Sequence, residues 1–125
     1  MARVLVLVAD LLFGSRVQGA LTAAGHDVEL IGDEQGLRDR LGDVGGPAAG
    51  ALLVDLTDEE LGGARLVESL TGAGELAPMS TLGFYSHVDV HVRERAEQAG
   101  FDLVVPRSRM AREGPALVEG LLARR

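Results

Sequence analysis

The sequence predicts a three-layer α/β/α domain in which five parallel strands lie between two layers of helices. Three observations support this fold class: short apolar runs recur along the chain, a helical pattern follows each of them, and the connections are brief. A short apolar run without polar alternation is typical of a strand buried on both faces, and alternating strands and helices favour a parallel sheet with right-handed crossovers. The 125 residues suit a single domain, residues 1–125.

Glycine, aspartate and proline mark where several predicted elements begin and end. Gly25 is a natural end for the first helix, and Asp33 is a suitable N-cap for the second. Pro115 either kinks the last helix or marks its true first turn. The predicted strands are Val4–Val8, His26–Ile31, the one in the stretch Gly50–Thr57 that leaves the sheet at Asp55, Met79–Phe84 and Phe101–Val105. The first two predicted helices are Leu11–Ala24 and 34–41. The third follows the acidic turn Thr57–Glu60 and ends near Leu70, and the fourth opens at Ser86–Asp89 and ends at Gly100. The fifth is Met110–Arg125, which follows a predicted turn at Pro106–Ser108.

The composition excludes several classes of function. The chain has no cysteine and no lysine, so disulfides, thiolate catalysis and lysine chemistry are not available to it. Its formal net charge of −7 has the wrong sign for nonspecific binding to nucleic acid or to acidic membranes. No apolar stretch is long enough to span a membrane, and Asp10 interrupts the N-terminal apolar run, which lacks a signal-peptide cleavage pattern. We therefore expect a cytoplasmic protein.

Two aspartates follow strands that are predicted to be neighbours. The commonest strand order for a doubly wound, flavodoxin-like sheet of this size is 2-1-3-4-5, which places the first and third strands side by side. Asp10 follows the first of these strands and Asp55 ends the other. In open α/β sheets, ligands bind at the carboxyl edge of the strands, at the point where the strand order reverses. The sequence therefore predicts that any chemistry takes place at Asp10 and Asp55.

Further motifs coincide with this architecture. Val54-Asp55 closes the third strand, Gly63 follows eight residues later, and Ala99-Gly100-Phe101-Asp102 precedes the fifth strand. Together with the five strand–helix units, these residues make the chain similar to the receiver domains of bacterial response regulators over essentially its whole length. The resemblance implies that an aspartate takes a phosphoryl group from a histidine kinase, beside a magnesium ion held by acidic residues.

The resemblance assigns Asp55 as the phosphoacceptor and Asp10 as one member of the acidic pair that holds magnesium in receivers. Val8 and Ala9 stand where the companion acid is expected. Hard cations prefer several oxygen ligands, so a site reduced to Asp10 and Asp55 should bind Mg²⁺ weakly. Two carboxylates held close together also raise the pKa of one of them, unless a cation such as Arg107 intervenes.

The resemblance also assigns the residues that sense the phosphate. The Ser/Thr position falls on Tyr85 or Ser86, depending on a one-residue choice of register, and the lysine position falls on Arg107. Arginine keeps the positive charge of lysine but is planar and bulkier. Ser86 also begins a capping-box pattern over Ser86–Asp89, and that role alone would account for the serine. The acidic turn Thr57–Glu60 adds negative charge beside a pocket that must accept a phosphoryl group.

We expect a stand-alone, atypical receiver-like signalling module that acts through protein–protein contacts and has no output domain. Asp55 is then an impaired phosphoacceptor, and the partner is a histidine kinase or a downstream regulator. A homodimer through helix four, strand five and helix five is also implied by the resemblance. In alternative interpretations, Asp55 caps a loop or pairs with Arg107, and Asp10 caps the first helix or faces Asp55. The alternative function is a small flavodoxin-like enzyme or ligand-binding domain that uses the Asp10/Asp55 edge.

Overall fold

Five parallel strands form one sheet in the computed structural model, which describes residues 3–42, 49–57, 59–76, 79–86 and 90–123. The strands are β1 (Arg3–Leu7), β2 (Asp27–Ile31), β3 (Ala51–Asp55), β4 (Ser80–Tyr85) and β5 (Leu103–Pro106). The helices are α1 (Leu11–Ala23), α2 (Glu34–Leu41), α3 (Gly63–Gly72), α4 (Val90–Ala99) and α5 (Arg107–Ala123), with a short 3-10 helix at Glu59–Leu61. The strand order is β2-β1-β3-β4-β5, which confirms the predicted order 2-1-3-4-5.

Each face of the sheet has its own hydrophobic core. Successive side chains of a strand point to opposite faces, so one strand can contribute to both cores. Both β3 and β4 are buried along their whole length, which confirms that the central strands are covered on both faces. The core under α1 and α5 includes Val4, Val6, Leu53, Phe84 and Val118. The core under α2, α3 and α4 includes Leu5, Leu52, Val54, Leu66 and Ala96.

Aspartate side chains cap the first two helices. Asp10 accepts a hydrogen bond from the backbone N–H of Phe13 at 3.1 Å, and Asp33 accepts one from Gly36 at 2.8 Å. Such caps contribute about 1 kcal/mol each, because they satisfy donors that have no partner within the helix. Gly25 follows the end of α1 with φ of 97°, a conformation that glycine adopts without strain. The predicted cap at Asp33 and the predicted end at Gly25 are thereby confirmed.

Asp102 fastens the amino ends of β4 and β5 to each other. Its carboxylate accepts a hydrogen bond from the buried backbone N–H of Thr81 at 2.8 Å, and its own N–H donates to the Thr81 carbonyl at 3.0 Å. Residues Phe101 and Asp102 are therefore occupied in the connection to β4. For this reason β5 begins at Leu103, two residues later than predicted.

The start of α5 differs from the prediction. Pro106 is the last residue of β5 and pairs with Tyr85, and α5 begins at the very next residue, Arg107. The predicted turn at Pro106–Ser108 and the predicted start at Met110 are therefore wrong. Pro115 lies inside α5, so its interpretation as the first turn is wrong as well. The helix continues past Pro115 because Met110, Val118 and Leu121 are buried against the sheet on both sides of it.

Other predictions fall partly on residues outside the described ranges. The capping box Ser86–Asp89 depends on residues 87–89, and the acidic turn Thr57–Glu60 includes Asp58; these residues lie outside the described part of the chain. The third helix continues to Gly72, beyond the predicted end near Leu70. Among the described residues, no helix has the length and apolar character needed to cross a membrane.

Candidate functional site

The carboxyl edge of the sheet brings together three side chains that are far apart in sequence. Asp55 is the last residue of β3, Asp10 lies three residues after the end of β1, and Arg107 follows β5 directly. The strand β4 separates β3 from β5, so the long side chain of Arg107 crosses the end of β4 to reach Asp55. The early start of α5 places Arg107 at the position from which it can do so.

A single nitrogen of Arg107 joins the two carboxylates. The Nη2 atom donates to Oδ2 of Asp10 at 2.9 Å and to Oδ2 of Asp55 at 3.1 Å. The other oxygen of each carboxylate accepts from the backbone: Oδ1 of Asp10 from Phe13, and Oδ1 of Asp55 from Thr57 at 2.8 Å. Asp55 is only 1% exposed, and a buried carboxylate needs such partners to remain charged.

These contacts match the alternative interpretations of the two aspartates. Asp55 both caps the loop that follows β3 and pairs with Arg107, while Asp10 both caps α1 and shares the arginine with Asp55. The backbone N–H of Phe13 lowers the pKa of Asp10 most, and the hydrogen bond from Arg107 lowers it further. Arg107 thus intervenes between the two carboxylates in the way that the sequence allowed.

Two aromatic rings support the guanidinium of Arg107. Its Cζ atom lies 4.2 Å from the centre of the Phe13 ring, and the centre of that ring lies 5.3 Å from the centre of the buried Phe84 ring. A partly desolvated cation–π contact of this kind contributes about 1–2 kcal/mol. The Nε atom of Arg107 is buried and has no hydrogen-bond partner, which costs about 1–3 kcal/mol. The carboxylates and Phe13 therefore fix the position of the guanidinium, although the Nε–H is left without a hydrogen-bond acceptor.

Sequence reasoning missed the role of Phe13. It placed this residue on the apolar stripe of the first helix, and Phe13 does pack against the core under α1 and α5. Its ring also faces a charged group, which an apolar stripe alone does not reveal. The available signal was its position three residues after Asp10, in the first turn of a helix that starts at the carboxyl edge.

The two candidates for the Ser/Thr position differ in exposure. Tyr85 ends β4 and is 6% exposed, whereas Ser86 follows it and is exposed. Within the described part of the chain, neither residue donates a hydrogen bond to Asp55, and neither contacts Arg107 through one. The structure therefore brings together Asp10, Asp55 and Arg107, and it leaves Ser86 outside their hydrogen-bond network.

The two carboxylates offer few free oxygens to a magnesium ion. Mg²⁺ requires a near-octahedral set of oxygen ligands. Here both carboxylates already bind a cation, the guanidinium of Arg107, and their remaining oxygens accept backbone hydrogen bonds. Val8, which is buried, and Ala9 stand where a further acid would be needed. Among the described residues, no three His, Asp or Glu side chains are grouped as a metal site would require.

Comparison with known proteins shows a likeness of structure. No protein-family model matches the chain, and no curated protein matches it in sequence. Several solved structures that it resembles are named as response regulators or receiver domains, and the chain has a CheY-like, flavodoxin-like α/β fold.

Three of these structures cover nearly the whole of both chains. A response regulator from Thermotoga maritima is 16% identical, with a TM-score of 0.83 over 98% of each chain. A CheY-like receiver domain protein from Methanospirillum hungatei JF-1 is 17% identical, with a TM-score of 0.82 over 99% of this chain and 95% of the other. The phosphorylated cyanobacterial phytochrome response regulator RcpA is 12% identical, with a TM-score of 0.82 over 99% and 96%. Likeness at such identities shows the fold alone.

Proposed function

We propose that the protein is an atypical receiver-like signalling module in which Asp55 is a phosphoacceptor of reduced reactivity. The observation that carries this proposal is the position of Asp55, a buried carboxylate at the end of the central strand of a receiver fold, in contact with a cation. Because ligands of doubly wound sheets bind at the carboxyl edge, this is the part of the fold where such chemistry is expected.

The proposed reaction is attack by a carboxylate oxygen of Asp55 on the phosphorus of a phosphoryl donor. The new O–P bond forms as the bond to the leaving group breaks, and the leaving group departs with the electron pair. Oδ2 is the oxygen that faces Arg107, whereas Oδ1 is engaged by the Thr57 N–H. Arg107 remains beside the product as a hydrogen-bond donor to the phosphoryl oxygens, which is the sensing role that the resemblance implies for it.

Two features of the site make this reaction slow. The ion pair between Arg107 and Asp55 must loosen before Oδ2 can attack, which raises the barrier. The carboxylate of Asp10 lies 2.9 Å from Nη2 of Arg107 and partly neutralises its positive charge, which weakens the attraction of Arg107 for a phosphoryl group. A divalent cation at Asp10 and Asp55, when bound, would neutralise charge on the phosphoryl group. We propose that Mg²⁺ binds there only weakly.

Ser86 is proposed as the second phosphate-sensing residue. It follows β4 directly and is exposed, so its hydroxyl would have to turn towards Asp55 to donate a hydrogen bond to a phosphoryl oxygen. Tyr85 is buried in the strand and is the less suitable of the two.

The proposed output is a protein–protein contact in the cytoplasm. The receiver-fold neighbours are named as response regulators, and we propose a histidine kinase or a downstream regulator as the partner. Val90 is exposed at the start of α4, and Arg109 and Arg112 are exposed near the start of α5. We propose that the partner binds at α4, β5 and α5, where these arginines suit contact with an acidic surface, including one on a second copy of this acidic chain.

The test is phosphorylation by a small-molecule donor. The protein is incubated with acetyl phosphate over a series of Mg²⁺ concentrations, and intact mass is measured for an adduct of about 80 Da, one phosphoryl group. We expect a slowly formed adduct that Asp55→Asn abolishes. The matched control is Asp27→Asn. Asp27 is exposed at the amino end of β2, at the edge of the sheet opposite Asp55, so its loss should leave the adduct unchanged. Absence of an adduct at every Mg²⁺ concentration would contradict the assignment of Asp55.

A further inference from the structure

We propose that the guanidinium of Arg107 is the resident cation of the carboxyl edge, and that it competes with divalent cations for Asp10 and Asp55. The inference rests on the proposed function in that it concerns the same two carboxylates. It does not require Asp55 to accept a phosphoryl group.

Arg107 occupies the space between the two carboxylates. One atom, Nη2 of Arg107, is within hydrogen-bond distance of Oδ2 of Asp10 and of Oδ2 of Asp55. The positive group therefore lies between the two carboxylates, where a divalent ion that bridged them would have to lie. The guanidinium and such an ion need the same pair of oxygens and cannot both bridge them.

The fold holds Arg107 in this position. It is the first residue of α5, which follows β5 without a connecting loop, so its backbone is fixed at the edge of the sheet. Its side chain is 21% exposed and its guanidinium stacks on Phe13. The carboxylates are oriented as well, because each accepts a backbone N–H through its other oxygen. Because the three groups are already oriented, little conformational entropy is lost when they contact one another.

The charges of the three side chains do not cancel. Asp10 and Asp55 carry two negative charges and Arg107 carries one positive charge, so the cluster has a net charge of −1. A divalent ion added beside the guanidinium would face a like charge at close range, while an ion that displaced it would leave the guanidinium without its partners. Removal of Arg107 leaves two adjacent carboxylates without a cation, and such a pair attracts a divalent ion strongly.

The experiment compares divalent-cation affinity between arginine variants of the full chain. Binding of Mn²⁺ is followed by the loss of the free-ion signal in electron paramagnetic resonance, and binding of Mg²⁺ by isothermal titration calorimetry. We expect Arg107→Gln to bind Mn²⁺ at least about tenfold more tightly than the unaltered protein, through relief of one like-charge contact. Asp10→Asn, introduced into Arg107→Gln, should abolish the gain.

The matched control is Arg109→Gln, which changes the net charge equally. Arg109 lies on the same helix and pairs with Glu113, so its loss should leave Mn²⁺ affinity unchanged. Where Arg107→Gln fails to fold by circular dichroism, Arg107→Met takes its place, because it puts an unbranched apolar side chain beside Phe13. Equal affinity in the unaltered protein and the Arg107 variants would overturn the inference. A missing phosphoryl adduct together with the tenfold gain would instead reject Asp55 as a phosphoacceptor and leave the inference standing.

Discussion

Two clusters of arginine and carboxylate in this sheet have opposite arrangements. On the outer strand β2, Glu29 lies between two arginines, pairing with Arg3 at 2.7 Å and with Arg40. At the carboxyl edge of the central strands, Arg107 lies between two carboxylates. The first cluster therefore has one carboxylate with two cations, and the second has one cation with two carboxylates.

The two clusters also differ in burial. The side chains of Glu29 and Arg40 are 28% and 46% exposed, so water screens their interaction and the pair stabilises the fold only slightly. Asp55 has almost no contact with water, and its hydrogen-bond partners are Arg107 and the Thr57 N–H. The surface cluster on β2 has one carboxylate with two cationic partners. In the other cluster, called the buried cluster after Asp55, the partly exposed Asp10 and the buried Asp55 share one cation, so the cluster has a net negative charge.

The largest expected difference between the clusters is in stability. Arg107→Gln leaves Asp55 buried beside Asp10 without a cation, and we expect it to lower the free energy of unfolding by about 3 kcal/mol at pH 7. Arg40→Gln is the matched variant of the surface cluster, where Glu29 keeps Arg3, and we expect a loss of at most about 1 kcal/mol. Urea unfolding followed by circular dichroism measures both values. Equal losses would remove the distinction between the clusters.

A smaller effect is expected from the ring that supports the buried cluster. Phe13→Leu keeps most of the apolar packing but removes the cation–π contact, and we expect about 1 kcal/mol of coupling between this change and Arg107→Gln in a double-mutant cycle. Phe101→Leu is the control, because Phe101 lies in the core on the other face of the sheet. It should destabilise the protein without coupling to Arg107. Coupling of the same size for both phenylalanines would show that the ring contact is not specific.

The smallest expected effect is on the titration of Asp10. Its pKa lies below the ordinary value of 3.8, because the Phe13 N–H and Arg107 favour the charged carboxylate. Its contribution to stability is therefore present above pH 3.8 and is lost as the pH falls through the lower value of the folded state. In Arg107→Gln, the pKa of Asp10 should rise, because the carboxylate loses the hydrogen bond and the positive charge of Arg107 beside Asp55. Carboxyl-detected NMR titration measures this shift, and an unchanged pKa would contradict the contact with Arg107.

Much of the fold could be predicted because it depends on local patterns. The buried central strand, the caps at Asp10 and Asp33, and the strand order follow from apolar runs, capping preferences and the alternation of strands and helices. The predicted start of α5 at Met110 was wrong for a physical reason. Pro106, Arg107 and Ser108 have the composition of a turn, and only the packing of the rest of α5 on the sheet shows that the helix begins at Arg107.

The sequence predicted that Asp10, Asp55 and Arg107 belong to one site, but it did not predict how these side chains contact one another. Adjacent strands at one edge were enough to place Asp10 near Asp55. The contact of Arg107 with both depends on its reach across the end of β4, over sequence separations of 97 and 52 residues. No local pattern encodes that distance. The orientation of Phe13 towards the guanidinium is likewise set by how α1 and α5 pack together, which the sequence does not reveal by periodicity.

The most direct test of this account is a double-mutant cycle between Arg107 and Asp55. Arg107→Gln and Asp55→Asn are made singly and together, and the free energy of unfolding is measured in urea at pH 7 with Mg²⁺ absent. We expect a coupling of about 2 kcal/mol, with the double variant more stable than Arg107→Gln alone, because Asp55→Asn removes the unpaired buried charge. If the two losses of unfolding free energy add within about 0.5 kcal/mol, the claim that the ion pair between Arg107 and Asp55 stabilises the folded protein is contradicted.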